Sequence, residues 1–228
     1  MNLLAFDTST DTLFIAMQKN NAYWLRQSAG GAYSSAMLLP TIRDGLDALA
    51  LTLTQLDAIV FGRGPGSFTG LRTACSVAQG LAFGSNRKVL PIDTLLAMAE
   101  QARVQYGLDE VMVVLDARMN EVYHAAYRWD SIQGQWQTTT TLGLCAPTAV
   151  IVPDGFPVVG NAHHVYADLA PQATHYPVLP TAEALLRLAP AFIASGALLD
   201  PRHATPYYLR DKVAQTTAER AALTQRIR

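Results

Sequence analysis

Short apolar runs separated by turn-forming residues open the chain and predict three strands in succession. The first run, Leu3–Phe6, ends at a polar segment, and a second run follows at Thr12–Met17. The polar pair Asn20 and Asn21 forms a turn from which Ala22–Arg26 returns. Apolar runs of this length, bounded by turn formers, are typical of strands. The second and third runs therefore predict a β-hairpin.

Helical spacing begins after this meander and then alternates with strand-like runs. From Ser34 or Ser35 to about Ala50, apolar residues recur at intervals of three and four, which predicts an amphipathic helix. The same reasoning predicts a strand at 57–61, a helix at 67–83, a strand at 88–92 and a helix from Asp93 or Thr94 to Tyr106.

The second half of the chain repeats this order less regularly. Strands are predicted at Glu110–Asp116, Glu121–Trp129 and Gln135–Leu142, followed by a short helix at Pro147–Val152, a strand at Val158–Gly160 and a helix at Thr181–Ser195. A meander feeding alternating helices and strands is the order of a ribonuclease-H-like lobe. We expect an α/β protein with two such lobes, at 1–106 and 107–216, in the actin-like (ASKHA) ATPase architecture. A flexible tail is expected at 217–228.

Composition narrows the class of protein. Half of the 228 residues are apolar, so the chain can bury a large core and intrinsic disorder is excluded as its main state. Seventeen basic and eighteen acidic residues balance, which gives no bulk attraction to nucleic acid or membrane surfaces. Two cysteines cannot form a disulfide framework. No run approaches the roughly 18 apolar residues of a membrane span. We expect a cytoplasmic protein without a membrane partner.

Two loops stand where an actin-like ATPase would hold phosphates. In the first, Asp7, Thr8 and Ser9, a serine stands where such loops carry glycine, and its Cβ crowds the approach of a phosphate. The alternative is an ordinary β-turn with capping side chains. The second loop, 116–120, has no glycine and contains the bulky Arg118. Two degraded loops predict that the isolated chain does not hydrolyse ATP and needs no cofactor of its own.

A glycine-rich run, Gly62–Gly70, lies between a predicted strand and helix. No Lys-Ser/Thr pair follows it, so it is not a Walker A loop. It resembles a dinucleotide fingerprint only weakly, because its spacing is one residue too long and Pro65 lacks an amide proton. Asp93 stands roughly where a ribose-binding acid could lie. The simpler interpretation is a sharp turn, with Ser67 capping the helix.

The helix after that run carries two stripes instead of one. Leu71, Ala74, Cys75, Ala78, Leu81 and Ala82 form the first, and the small residues Gly70, Thr73, Val77, Gly80 and Gly84 form the second. A helix that only covers a sheet needs one buried stripe. Glycines inside a helix cost up to about 1 kcal/mol each, so a packing role is expected. The second stripe faces either the preceding helix or another chain.

Searches for a metal site or a nucleophile are negative in the sequence. The five histidines show neither a His-x-x-x-His nor a His-Glu-x-x-His pattern. The Gly-x-Ser-x-Gly motif of a nucleophile elbow is absent as well. We therefore predict no catalytic residue and no metal ligand in this chain.

Several segments together resemble the TsaB (YeaZ) family of the bacterial threonylcarbamoyladenosine machinery. They are Leu4–Thr10, Gly62–Arg72, Val77–Ala82, Asp116–Tyr123 and Pro206–Arg210. The Gly-Pro-Gly-Ser-Phe-Thr-Gly-Leu-Arg run at 64–72 is the most specific of them. One departure is Tyr33-Ser34-Ser35, since the family often has a histidine just before the first helix.

The resemblance implies a non-catalytic scaffold that pairs through its first lobe with TsaD, a subunit of the same fold that carries the metal site and the transfer chemistry. The complex would place threonylcarbamoyl on the adenosine beside the anticodon of tRNAs reading codons that begin with A. A TsaE-type ATPase would be a further partner, and a TsaC-type enzyme would supply threonylcarbamoyl-AMP. ATP or ADP would bind only in the complex, and the chain could form a homodimer without its partner.

The predicted interface combines this resemblance with the second stripe and the helix that begins at Ser34. Its residues are Leu38, Gly70, Thr73, Val77 and Gly80. Two other functions stay open. One is an ATP-using actin-like or sugar-kinase-like enzyme acting alone, with Asp7 and Asp116 as metal-facing acids. The other is a peptidase-like activity, for which the sequence contains neither a triad nor a metal pattern.

Overall fold

The computed structural model describes residues 1–210, and the tail predicted at 217–228 lies outside the described residues. The strands are β1 (Asn2–Asp7), β2 (Thr12–Lys19), β3 (Ala22–Ala29), β4 (Ala58–Gly64), β5 (Lys88–Asp93), β6 (Glu110–Asp116), β7 (Val122–Asp130), β8 (Gln135–Thr138), β9 (Gly143–Cys145), β10 (Val158–Gly160) and β11 (His175–Pro177). The α-helices are α1 (Ser34–Ala48), α2 (Phe68–Ser85), α3 (Thr94–Tyr106) and α4 (Ala182–Ala194).

Two sheets repeat one topology. The first has the order β3-β2-β1-β4-β5, with an antiparallel meander β1-β2-β3 and parallel pairing of β1 with β4 and of β4 with β5. In the second, β6, β7 and β8 form the meander, and β10 and β11 continue the sheet in parallel on the other side of β6. This repetition confirms the predicted fold of two ribonuclease-H-like lobes.

The first sheet is covered on both faces. Side chains alternate along β1, so that Leu4 and Phe6 pack with helices α1 and α2, whereas Leu3 and Ala5 pack with α4. Helix α4 lies after the second sheet in sequence, and Leu185 is among its residues buried against the first sheet. The two halves of the chain are therefore joined by a shared apolar layer.

The second sheet is covered by a helix on one face only. Met98 and Ala102 of α3 pack against Val113 and its neighbours in β6 and β7. The opposite face, which includes Met112, is covered by the largely irregular segments 146–157 and 161–173 on either side of β10, with Phe156 among their buried residues. Short 3₁₀ turns in these two segments stand where the first lobe has its helices α1 and α2.

Two expectations for the second lobe were wrong, and the short strands β9 and β11 were not expected. The strand expected at Gln135–Leu142 ends at Thr138, because Thr140 Oγ1 accepts the Ala126 N–H and interrupts the ladder, and β9 then pairs with β7. The helix expected at Pro147–Val152 is one 3₁₀ turn, Pro147–Ala149, since the proline at 153 disfavours a helical residue before it. Strand β11 was not expected, because it has only three residues and contains a proline.

Candidate functional site

The loop after β1 is closed around a buried carboxylate. Asp7 is fully buried, and its Oδ1 accepts hydrogen bonds from the Ser9 N–H at 2.8 Å and the Ser9 hydroxyl at 2.6 Å. Thr94 Oγ1 donates to Oδ2 at 3.4 Å. Loss of hydration raises the pKa of Asp7 from 3.8 to about 6, although these hydrogen bonds act in the opposite direction. The Ser9 N–H could otherwise donate to a phosphate, but it already donates its hydrogen bond to Asp7.

The glycine-rich run packs directly on this loop. A Cβ at Gly62 would lie 1.8 Å from Asp7 Oδ2, and one at Gly66 would lie 2.6 Å from Ser9 Cβ. Close approach to the first loop thus explains why glycine is needed at both positions. Asp93, considered for ribose binding, is instead paired with Arg63, whose Nε donates to Asp93 Oδ1 at 2.5 Å.

The same contact fixes the start of α2. The Thr8 hydroxyl donates to the Gly70 carbonyl at 2.7 Å, and a Cβ at Gly70 would lie 1.8 Å from the Thr8 carbonyl oxygen. Ser67 caps the helix as expected, because its Oγ accepts the Gly70 N–H. Strand β1, the turn and helix α2 therefore form one rigid unit.

In the second loop, 116–120, the side chain of Arg118 lies where a phosphate would have to bind. Residues 118–120 all have positive φ, between 57° and 61°. The guanidinium of Arg118 pairs with Asp116 in its own lobe, at 3.2 Å, and with Asp11 in the first lobe. Tyr166 also donates to Asp116, at 2.9 Å. The carboxylate that a metal would need is thus engaged by protein groups.

A cleft of about 320 Å³ lies between the two loops, and the end of the described chain lines it. The Tyr208 ring centroid lies 5.0 Å from that of Phe68, and Arg72 Nε donates to the Tyr208 hydroxyl at 3.1 Å. Arg210 pairs with Glu121 at the edge of the second lobe. Side chains of this chain therefore narrow the cleft in which an actin-like ATPase holds its nucleotide.

The five residues predicted for a partner interface fall into two groups. Leu38 is 0% exposed in the core beneath α1 and α2, and Gly70 is buried against Thr8. Thr73 and Val77 are half-buried on α2, and Gly80 is exposed. Within residues 1–210, no atom outside the helix's own local backbone lies within 4 Å of a Cβ placed on Gly80. The preceding helix therefore does not explain this glycine.

Exposed apolar side chains on the same two helices were missed in the sequence. Met37 and Leu39 on α1 are 44% and 49% exposed, and Phe83 on α2 is 75% exposed. We call the exposed residues of α1 and α2, together with Thr73 and Val77, the α1–α2 face. The sequence did contain a signal for this exposed apolar surface. Phe83 is an aromatic residue in a sector of the helix that otherwise carries the polar residues Arg72, Ser76 and Gln79.

The described part of the chain does not contain a cluster of metal-ligating side chains. Residues 1–210 contain no group of three or more His, Cys, Asp or Glu side chains arranged to hold a metal ion. No helix among the same residues has the length and hydropathy to cross a bilayer. Fold and site together define an α/β protein with two ribonuclease-H-like lobes whose two phosphate-type loops are engaged by the chain's own side chains.

Comparisons with known proteins identify the family. The family model for TsaD, tRNA N6-adenosine threonylcarbamoyltransferase, matches residues 31–153. A solved structure of YeaZ from Pseudomonas aeruginosa is 34% identical, with a TM-score of 0.84 over 91% of this chain and 99% of that chain. The TsaB proteins of Escherichia coli and Haemophilus influenzae are 32% and 33% identical, over 94% and 93% of this chain and 96% and 95% of the relatives. The chain belongs to the TsaB (YeaZ) family.

Proposed function

We propose that this chain acts in the formation of threonylcarbamoyladenosine in tRNA, as a non-catalytic subunit that pairs with a TsaD-type catalytic subunit. Its relatives are named tRNA threonylcarbamoyladenosine biosynthesis proteins, which supports the process. The TsaD family model covers more than half of the chain, which supports a partner of the same fold. The tRNA is the substrate of the complex, and its target is the adenosine beside the anticodon that reads codons beginning with A.

The α1–α2 face is the observation that carries the pairing. A glycine in a helix interior costs up to about 1 kcal/mol relative to alanine. The approach of the chain's own residues explains Gly70 but neither Gly80 nor Gly84, since a Cβ at either position meets open space within residues 1–210. The exposed end of the small-residue stripe, at Gly80 and Gly84 beside Phe83, suits a partner helix packed closely on α2. Thr73, Val77 and Gly80 would touch the partner, and the buried Leu38 and Gly70 would hold the helices in place.

The closed loops support a role without catalysis. The Ser9 N–H is donated to Asp7, and Asp116 is engaged by Arg118 and Tyr166. We therefore place any ATP or ADP in the complex with the TsaD-type subunit and a TsaE-type ATPase, not on the isolated chain. A TsaC-type enzyme supplies threonylcarbamoyl-AMP. Without its partner, the same face would form a homodimer through an isologous contact.

The test is light scattering coupled to size-exclusion chromatography, on this chain alone and mixed with the TsaD-type subunit of the same organism. We expect a one-to-one heterodimer. Val77→Glu should abolish it, because a charge would be buried without a partner in the interface. Val104→Glu is the matched control, since Val104 is 52% exposed on α3 and lies outside the α1–α2 face. Circular dichroism must show both variants folded.

Transfer of threonylcarbamoyl to tRNA should require both subunits and should be lost in Val77→Glu. If Val77→Glu and Val104→Glu paired equally well with the TsaD-type subunit, the interface would not include this part of α2. ATP turnover by the isolated chain, with no complex formed, would contradict the proposal and favour an enzyme that acts alone through Asp7 and Asp116.

A further inference from the structure

A second cavity, of about 400 Å³, lies between α3, α4 and the β7–β8 hairpin. Its volume falls within the range of roughly 300–1,000 Å³ that is typical of small-molecule sites. None of its residues lines the cleft between the two loops or belongs to the α1–α2 face. The cavity is thus a separate feature that the proposed function does not use.

Apolar and aromatic side chains form most of its wall. The two indoles of Trp129 and Trp136 meet edge to face, with ring centroids 5.5 Å apart. The rest of the apolar lining consists of Leu96, Leu188, Ala191 and Phe192. Aromatic walls of this kind favour a flat apolar body, because ring pairs gain energy beyond the area they bury.

The polar part of the cavity is built around one buried carboxylate. Only 3% of the Glu100 side chain is exposed. It accepts hydrogen bonds from Trp136 Nε1 at 3.0 Å, Arg103 Nε at 3.2 Å and Arg187 Nε at 3.3 Å. The Arg103 guanidinium also stacks on the Trp129 ring, 4.0 Å from its centroid. Both arginines are held in place at the edge of an apolar space.

These contacts leave positive charge and hydrogen-bond donors unused. Two guanidinium groups face one carboxylate, so the group carries a net charge of +1. A guanidinium has five N–H donors. Arg103 gives two of them to Glu100, and Arg187 gives one to Glu100 and one to Gln101. The remaining three on each arginine have no partner among residues 1–210, and the two side chains are 30% and 33% exposed.

We propose that this cavity binds a small organic anion with a flat apolar body and a single oxyanion group. The indoles and Phe192 would contact the body, and the free N–H groups of Arg103 and Arg187 would bind the oxyanion, as arginine forks do for carboxylates and phosphates. Such a ligand would neutralise the excess charge. It would contact both α3 and α4, the helices that join the two halves of the chain.

The test uses 8-anilinonaphthalene-1-sulfonate as the anionic probe and N-phenyl-1-naphthylamine as a neutral probe with the same ring body. Binding to the full chain is followed by calorimetry and by energy transfer from tryptophan. A Trp24→Phe background leaves only the two cavity indoles as donors, because the chain has three tryptophans. We expect one sulfonate probe per chain.

Three variants locate the site. Arg187→Gln should weaken the sulfonate probe about tenfold or more, the value of a lost charge-assisted hydrogen bond, and change the neutral probe less than about twofold. Arg128→Gln is the matched control, since Arg128 is exposed on β7 outside the cavity. Ser195→Phe, at an exposed position of the lining, should exclude both probes without adding a tryptophan donor. Sulfonate binding that survives Ser195→Phe, or that Arg187→Gln and Arg128→Gln weaken equally, would overturn the proposal.

Discussion

The buried carboxylate of Asp7 gives the sharpest prediction for stability. Asp7 lies at the end of β1, with no exposed surface, and its pKa is raised from 3.8 to about 6 by loss of hydration. Asp7→Asn keeps the shape and an acceptor for the two Ser9 hydrogen bonds, and its amide can donate to Thr94. The variant removes only the ability to ionise. We expect it to fold and to differ from the wild type in its pH dependence.

The direction follows from proton linkage. Because the pKa of Asp7 is higher in the folded state than in the unfolded state, the folded state binds the proton more tightly. The contribution of Asp7 protonation to the free energy of unfolding is therefore fully present below pH 3.8 and is lost as the pH rises through 6. At 1.36 kcal/mol per pH unit, the difference between 3.8 and about 6 corresponds to about 3 kcal/mol in the free energy of unfolding. About 2 kcal/mol of this should be lost between roughly pH 4.5 and 7.5.

Urea unfolding at a series of pH values measures this difference. The stability of Asp7→Asn relative to the wild type should rise by about 2 kcal/mol across that range. Asp44→Asn, at an exposed position of α1, is the control and should follow the wild-type profile. Parallel profiles for Asp7→Asn and the wild type would show that Asp7 is not desolvated as its burial indicates.

Two matched pairs test the packing around α2 by the same measurement. Gly70→Ala should destabilise the chain by about 2 kcal/mol or more, because its Cβ meets the Thr8 carbonyl at 1.8 Å, whereas Gly80→Ala should stabilise it by about 0.5–1 kcal/mol. Leu38→Ala should cost about 2–5 kcal/mol, and Leu39→Ala, at a 49% exposed position, about 0.5 kcal/mol. Similar values within either pair would contradict the burial described above.

The first lobe could be predicted closely from local patterns. Each expected element is present, although β3 is largely exposed and has no strong apolar period. The second lobe was harder, because β9 and β11 have three residues each, none of them fully buried, and so leave no apolar pattern. The irregular segments 146–157 and 161–173 contribute Phe156 and Leu169 to the core, where no regular period exists.

Only those features of the site that depend on spacing within one helix or strand could be predicted from the sequence. The small stripe of α2 could be found from spacing, but Gly70 and Gly80 could not be distinguished. One faces the carbonyl of Thr8, 62 residues away in sequence, and the other faces open space. The cross-lobe contact of Arg118 with Asp11 likewise depends on how the lobes meet.

The order of the layers places the α1–α2 face and the cavity lined by α4 on opposite sides of the first sheet. Helices α1 and α2 cover one side of the first sheet, and α4 covers the other, since Phe6 and Ala5 belong to opposite cores. A partner on the α1–α2 face therefore docks on the side of the first sheet away from α4 and from the cavity that α4 lines. A charge at Val77 can abolish pairing without reaching Glu100, and filling the cavity need not affect pairing. Failure of one proposal thus leaves the test of the other intact.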